Sequence, residues 1–411
     1  MIKRILYTLL IMFPVVASAQ INTDRVMAIG RNALYFEDYV LSIQYFNQVI
    51  NAKPYLSDPY FYRGLAKINL DDFQGAESDC SEAIERNPFV VSAYQVRGLA
   101  RIQQNNFAGA IEDYTKALEF DPENIGVWHN MALCRIRQED YKGAKNDLDK
   151  LIAISPRYTK AYLMRGEVDL KQKDTLAAEK DFGKAIEIDR YDADTWASRA
   201  ILRLQQQRYK DAEADFDHAI RLSTRNSGVY INRALARYHQ NNLRGAMSDY
   251  DIALDIDPNN FIGHYNRGLL RAQVGDDNRA IQDFNFVIEM EPDNMMAIFN
   301  RGLLLDQTGD YKGAIKDYST VINEYPNFLL GYQYRAQARR KIGDVKGADA
   351  DEFKVLKAQL DKQNGVDPNK QTADNTENNK TRKKSDKNMN NYRKIVVADN
   401  EEGEEKYKSD Y

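Results

Sequence analysis

Proline returns every 34 residues in this chain. Pro54, Pro88, Pro122 and Pro156 fall on one lattice, and Pro258, Pro292 and Pro326 continue it in register; the two lattice points between them are Arg190 and Thr224. A fixed period of this length means that one structural unit is copied along the chain. Each copy then contacts its neighbours rather than a common centre. The period also overrides the two or three domains that 411 residues would otherwise suggest, because the core of such an array grows along one axis.

With the lattice proline as the thirty-second residue, repeats begin at 23, 57, 91, 125, 159, 193, 227, 261, 295 and 329. Position 8 is then always small: Gly30, Gly64, Gly98, Ala132, Gly166, Ala200, Ala234, Gly268, Gly302 and Ala336. Position 20 is Ser42 in the first repeat and alanine in every later one, from Ala76 to Ala348. Position 4 is mostly aromatic (Tyr60, Tyr94, Trp128, Tyr162, Trp196, Tyr230, Tyr332), and so is position 24 (Phe46, Tyr114, Phe182, Phe216, Tyr250, Phe284, Tyr318). Small residues let two helices approach, and rings fill the gaps that remain. Positions 4, 8 and 11 share one helical face, as do 20, 24 and 27, while the proline ends the second helix.

An aromatic at position 4, a small residue at 8, alanine at 20, an aromatic at 24 and the closing proline together resemble the tetratricopeptide repeat. The resemblance covers residues 23–357. It implies an all-α, right-handed superhelical solenoid of about ten helix-turn-helix repeats, with the first helix of each pair lining a concave groove. Repeat 1 departs from the pattern at Val26, Ala33 and Ser42, and repeat 10 at Glu352. Both departures suit capping repeats, which face water on one side.

Position 7, usually leucine in that family, is Arg63, Arg97, Arg165, Arg199, Arg233, Arg267, Arg301 and Arg335; only Ile29 and Met131 break the run. Position 23 is Asp79, Asp113, Asp147, Asp181, Asp215, Asp249, Asp283, Asp317 and Asp351. Both positions sit one residue before a core contact. Matched heights on paired helices predict bidentate Arg–Asp pairs that fix the register of each repeat. A row of anion-binding arginines is the alternative.

The resemblance places positions 2, 5, 6, 9, 12 and 13 of the first helices on the concave face. Position 6 carries Asn130, Asn232, Asn266 and Asn300, with Tyr265, Phe299 and Tyr334 nearby and Leu235, Leu269 and Leu303 at position 9. An amide both donates and accepts, so it satisfies the backbone of an extended peptide without reading its sequence. Aromatic anchors beside amides make a peptide groove; asparagines merely tolerated on an exposed helix are the plainer reading. The carboxylate clamp of some family members needs lysine at position 5, which is absent here. Phe61, Tyr62, Leu65 and Ile68 form a second apolar patch, either a partner surface or a face covered by repeat 1.

The two ends read differently. Lys3 and Arg4, an apolar run from Ile5 to Val16, and Ala17-Ser18-Ala19 describe an export signal over residues 1–19 with cleavage before Gln20; an uncleaved N-terminal anchor is the alternative. The expected destination is the periplasm or the exterior, or the periphery of the envelope, with no membrane-spanning segment after cleavage. Cys80 and Cys134, two repeats apart, read as separate buried thiols. Residues 364–411 form a charged tail expected to be disordered, a basic block from Lys380 to Lys394 preceding acidic residues from Asp399 to Glu405. Between them Ile395-Val396-Val397 offers a short strand to a partner, with a solvated linker as the plainer reading.

Nothing in the pattern points to catalysis, a cofactor or a metal. His129, His218, His239 and His264 lack ligand spacing, and Asp249, Asp251, Asp255 and Asp257 lie on a helix without the central glycine of a calcium loop. A net charge of −4 gives no field for nucleic acid. The expected function is a non-enzymatic scaffold or adaptor of the cell envelope that binds a protein or an extended peptide. The alternative is a non-catalytic repeat subunit, or a truncated repeat part, of an envelope assembly, a secretion system or an enzyme complex.

Overall fold

The computed structural model describes residues 22–222, 225–364, 389 and 393–395. The expected leader, Thr224, Val396, Val397 and most of the charged tail lie outside the described residues. Among the described residues the repeats are α-helices joined by short turns, with no strand, and the chain divides into two compact units at Ile188/Asp189.

The first unit stacks five helical hairpins: α1 (Thr23–Tyr35) with α2 (Tyr39–Ala52), α3 (Asp58–Ile68) with α4 (Phe73–Arg86), α5 (Val91–Gln103) with α6 (Phe107–Phe120), α7 (Ile125–Arg137) with α8 (Tyr141–Ile154), and α9 (Thr159–Lys171) with α10 (Thr175–Ile188). The second unit stacks five more: α11 (Ala193–Gln205) with α12 (Tyr209–Arg221), α13 (Ser227–His239) with α14 (Leu243–Ile256), α15 (Phe261–Gln273) with α16 (Asp277–Met290), α17 (Met295–Thr308) with α18 (Tyr311–Glu324), and α19 (Leu329–Lys341) with α20 (Val345–Gln363). Each helix packs on the next one in the chain within its unit. Each unit is therefore an all-α solenoid segment whose core runs along the stack.

The hairpins close on the small-to-large pairing that the period implies. A Cβ added to Gly98 would lie 2.7 Å from the Tyr114 ring, so the ring of position 24 rests directly on the backbone of position 8. Tyr114, Phe182, Phe216, Tyr250, Phe284 and Tyr318 are at most 1% exposed. The turn between the two helices takes one residue into the left-handed region at position 15 of every repeat, from Glu37 (φ 62°) to Gly343 (φ 81°). That residue lets the next N–H reach back across the helix end, as Asp140 N–H does to the Arg135 carbonyl at 2.9 Å. In most repeats the following carboxylate or amide at position 16 then caps the second helix, as in Gly143 N–H to Asp140 Oδ1 at 3.0 Å, whereas Arg208 and Asp276 make no such bond.

The ring at position 4 has a separate task. Its polar tip grips the carbonyl of the preceding lattice residue: Trp128 Nε1 donates to Pro122 at 2.8 Å and the Tyr162 hydroxyl to Pro156 at 3.1 Å. One aromatic side chain thereby ties the turn that leaves one repeat to the helix that opens the next.

Candidate functional site

The arginines of position 7 set the frame on which any binding face is built. Arg165 forks onto Asp181 through Nε (2.6 Å) and Nη2 (2.8 Å), and Arg63, Arg97, Arg199, Arg233, Arg267, Arg301 and Arg335 hold Asp79, Asp113, Asp215, Asp249, Asp283, Asp317 and Asp351. The remaining guanidinium nitrogen reaches back to the second helix of the preceding repeat. Arg165 meets Asp149 at 2.6 Å, Arg233 meets Asp217 at 2.7 Å, and Arg301 meets Asn285 at 2.9 Å. The guanidinium also lies over the ring of position 4, 5.1 Å from Trp196 in the case of Arg199. Each of these arginines has its fork engaged together with its third nitrogen, its face or both, and so offers little to an external anion.

A second cation, at position 11, was not singled out in the sequence although its recurrence is visible there. Arg101 meets Asp113 at 3.0 Å, Arg237 meets Asp249 at 2.9 Å and Arg271 meets Asp283 at 2.7 Å. Asp283 also receives His264 Nδ1 at 3.1 Å. Burial drives its carboxyl upward, but the bonds from His264 and Arg267 outweigh it and hold Asp283 below the usual carboxylate range. Repeat 4 is the exception, since Met131 stands where the arginine belongs. Asp147 keeps only Arg135, within 3.0 Å but misaligned for a hydrogen bond, and burial pushes its carboxyl up to about 7.

The first helices of the second unit carry the other candidate surface on the face opposite the hairpin contact. On α13, α15 and α17 it forms a cleft of about 400 Å³ bordered by Tyr238, Leu269, Gln273, Asn300, Leu303 and Gln307. These are positions 6, 9, 12 and 13 of successive repeats, the concave positions expected from the resemblance. Gln273 and Gln307 are exposed, Leu269 and Leu303 half-buried, and the Tyr238 hydroxyl donates to Gln273 Oε1 at 2.8 Å. Two residues of the tail, Arg393 and Ile395, border the same cleft.

The asparagines expected to form an open row are placed otherwise. Asn232 and Asn266 are 0% exposed, Asn130 4% and Asn300 5%. All four are buried side chains rather than an exposed row. Asn300 Nδ2 donates to the Met296 carbonyl at 2.9 Å, and Asn130 Nδ2 lies 3.5 Å from the Tyr114 hydroxyl. Of the four, Asn300 alone borders the cleft. Phe299 is wholly buried between Phe328 (4.9 Å) and Tyr318 (5.6 Å), with the half-buried Tyr334 at 5.9 Å. Tyr265 packs edge-on against Phe284 at 5.8 Å. These rings hold the core beneath the cleft rather than standing as surface anchors. The sequence had not distinguished Gln273 and Gln307, the polar groups that do face the cleft, although they share position 13.

In the first unit the Phe61 patch is closed by repeat 1. Leu34 and Ile50 share its cluster, and Tyr62 stacks on Phe46 at 5.8 Å. Cys80 and Cys134 are buried and unbridged, with burial pushing the Cys134 thiol up to about 12. Asp249 and Asp251 serve Arg233 and Arg267. Among the described residues no helix is long and apolar enough to cross a membrane, and no group of His, Cys, Asp and Glu is set to hold a metal.

Comparison with known proteins agrees with this architecture. Family models described as tetratricopeptide repeat match residues 125–158, 159–192, 198–261 and 265–327, and one described as TPR repeat matches 98–134. No curated protein matches the chain. Among solved structures, a tetratricopeptide repeat protein of Parabacteroides merdae is 21% identical, covering 61% of this chain and 98% of its own, with a TM-score of 0.47. The PilF structure of Pseudomonas aeruginosa is 20% identical, covering 49% of this chain and 92% of its own, with a TM-score of 0.43. By its repeated sequence and its stacked hairpins, the chain belongs to the tetratricopeptide repeat family, whose repeats act as protein-interaction scaffolds.

Proposed function

We propose that this protein is an exported scaffold of the cell envelope that holds an extended segment of a partner protein against the first helices of repeats 7 to 9. The observation that carries this reading is the cleft itself. Exposed amides of Gln273 and Gln307 alternate with the aliphatic faces of Leu269 and Leu303 at one repeat spacing. Amides satisfy the backbone of an extended chain whatever its sequence, while aliphatic side chains between them take apolar anchors. The export signal over residues 1–19 supports the location, and an N-terminus at Gln20 in the mature protein, read by mass spectrometry, is its direct test.

The function is tested by capture from envelope extract with the natural chain and with Leu269→Asp and Leu303→Asp together. Both leucines are half-buried on the cleft, so the fold tolerates the change better than it would at the fully buried Asn232 and Asn266. Partners lost from the variant, with its helical content unchanged, support the groove. Partners that all survive reject it.

A further inference from the structure

The cleft of the second unit already has a neighbour within the chain. Met389 is 5% exposed and sits in the cluster of Met295, Phe299 and Phe328. Ile395 packs against the cluster that holds Leu204, Phe216 and Leu235, and borders the cleft with Arg393. Arg393 and Lys394 are themselves exposed. Met389 and Ile395 thus rest against the repeats, while Arg393 borders the cleft and Lys394 is exposed. A step of six residues spans up to about 20 Å when extended, enough to pass from one repeat to a distant neighbour. It runs against the order of the repeats, Met389 at repeats 9 and 10 and Ile395 at repeats 6 to 8.

The sequence makes this segment unlike the rest of the tail. Residues 364–388 contain Val366 and Ala373 as their only aliphatic side chains, whereas Met389, Ile395, Val396 and Val397 fall close together. Of these, Met389 and Ile395 are seated on the repeats. Methionine adapts its shape to an irregular apolar site, and a β-branched residue adds rigid contact area at the other end.

We propose that Met389 and Ile395 are the two anchors of a built-in ligand of the groove, bound in cis, and that a partner must present the same chemistry to displace it: two apolar anchors six residues apart with basic residues beside the second. This rests on the groove reading above and specifies its occupant. Helix α20 ends 26 residues before Met389, a tether long enough to return to the groove. Tethering of this kind sets an effective concentration in the millimolar range, so that even a weak segment keeps its site occupied until a tighter one arrives.

The test uses a labelled synthetic peptide of residues 385–398 and fluorescence anisotropy. It is titrated with the full-length chain and with the full-length chain carrying Met389→Asp and Ile395→Asp. Both substitutions lie outside every helix, and circular dichroism checks that the fold is kept. The expected result is binding to the substituted chain at least about tenfold tighter than to the natural one, because the cis competitor has been removed. A peptide with the same two substitutions binds at least about tenfold more weakly, and Leu303→Asp in the substituted chain abolishes binding. Equal affinity for the natural and substituted chains overturns the proposal, as does binding that Leu303→Asp leaves intact. Sedimentation showing a dimer that Met389→Asp and Ile395→Asp convert to a monomer also overturns it, because the segment would then bridge two copies. The two readings fail separately. Partners lost on changing Leu269 and Leu303, with equal peptide affinity for both chains, leave the scaffold and remove the cis ligand. Peptide binding with every captured partner surviving does the reverse.

Discussion

Repeats 4 and 8 share one 34-residue frame and treat the same buried aspartate in opposite ways. In repeat 8, Asp283 is held by Arg267, Arg271 and His264 at 2.7 to 3.1 Å. In repeat 4, Met131 replaces the arginine, Trp128 replaces the histidine, and Asp147 has Arg135 alone. One carboxyl is pulled below its usual range and the other is pushed up to about 7. The turns differ too: Glu139 enters the left-handed region at φ 60°, where repeat 8 uses Gly275 at φ 81°. The contrast teaches that the fold tolerates a missing partner at a conserved geometry, and that the local cost then appears as a titratable group. A buried carboxylate gains from cations only when their hydrogen bonds are aligned.

The largest effect is expected in repeat 8. Arg267→Met leaves Asp283 with Arg271 and the His264 ring and also breaks the contact to Asp251 in the preceding repeat, for a loss of about 3 kcal/mol by urea unfolding. Adding Asp283→Leu should recover most of it. A double variant no more stable than the single one rejects the pairing account.

Asp147 is the next largest. Its folded value lies above its unfolded value, so between about pH 4 and 7 the folded chain keeps a proton that the unfolded chain has lost. Stability therefore falls as pH rises through that window and levels off above it. Asp147→Asn should remove this slope and raise stability above pH 7 by about 2 kcal/mol, read from thermal unfolding across pH. Met131→Arg gives repeat 4 the cation its counterpart has, and should flatten the same slope by lowering the carboxyl. A slope that persists in both variants assigns the titration elsewhere.

The turns give the smaller effects. Gly275→Ala puts a Cβ into a left-handed turn with open space around it, so strain alone is tested, at about 1 kcal/mol of destabilisation in thermal unfolding. Glu139→Gly is the reciprocal change and should stabilise repeat 4 by about 0.5 kcal/mol, the relief of strain being partly offset by the greater freedom of glycine when unfolded. Equal and opposite shifts are not expected. Two shifts of the same sign would place the cost outside the backbone.

Much of the scaffold was legible from residue types at fixed spacing. A glycine or alanine at position 8 facing a ring at position 24 is a local, repeated geometry, and so is an arginine sixteen residues before an aspartate. The left-handed residue at position 15 was half visible: Gly275, Gly309 and Gly343 mark it, but Glu139 and Lys173 adopt the same backbone without a sequence signal. The groove was legible as a set of helix positions and not as a set of exposed side chains. Position 6 is buried at Asn130, Asn232, Asn266 and Asn300, which the helical period does not predict because burial depends on what packs over a position from elsewhere in the chain.

The sequence by itself determined the unit, its length, its helical hairpin and the charged pairs within it, because each follows from side-chain size and charge recurring in phase. The tertiary structure alone decided that the asparagines are buried and that Asp147 lacks an aligned partner. It also decided that Met389 and Ile395, far along the chain from α15 and α17, come to rest on those repeats. Those outcomes depend on contacts between segments whose separation in the chain obeys no period.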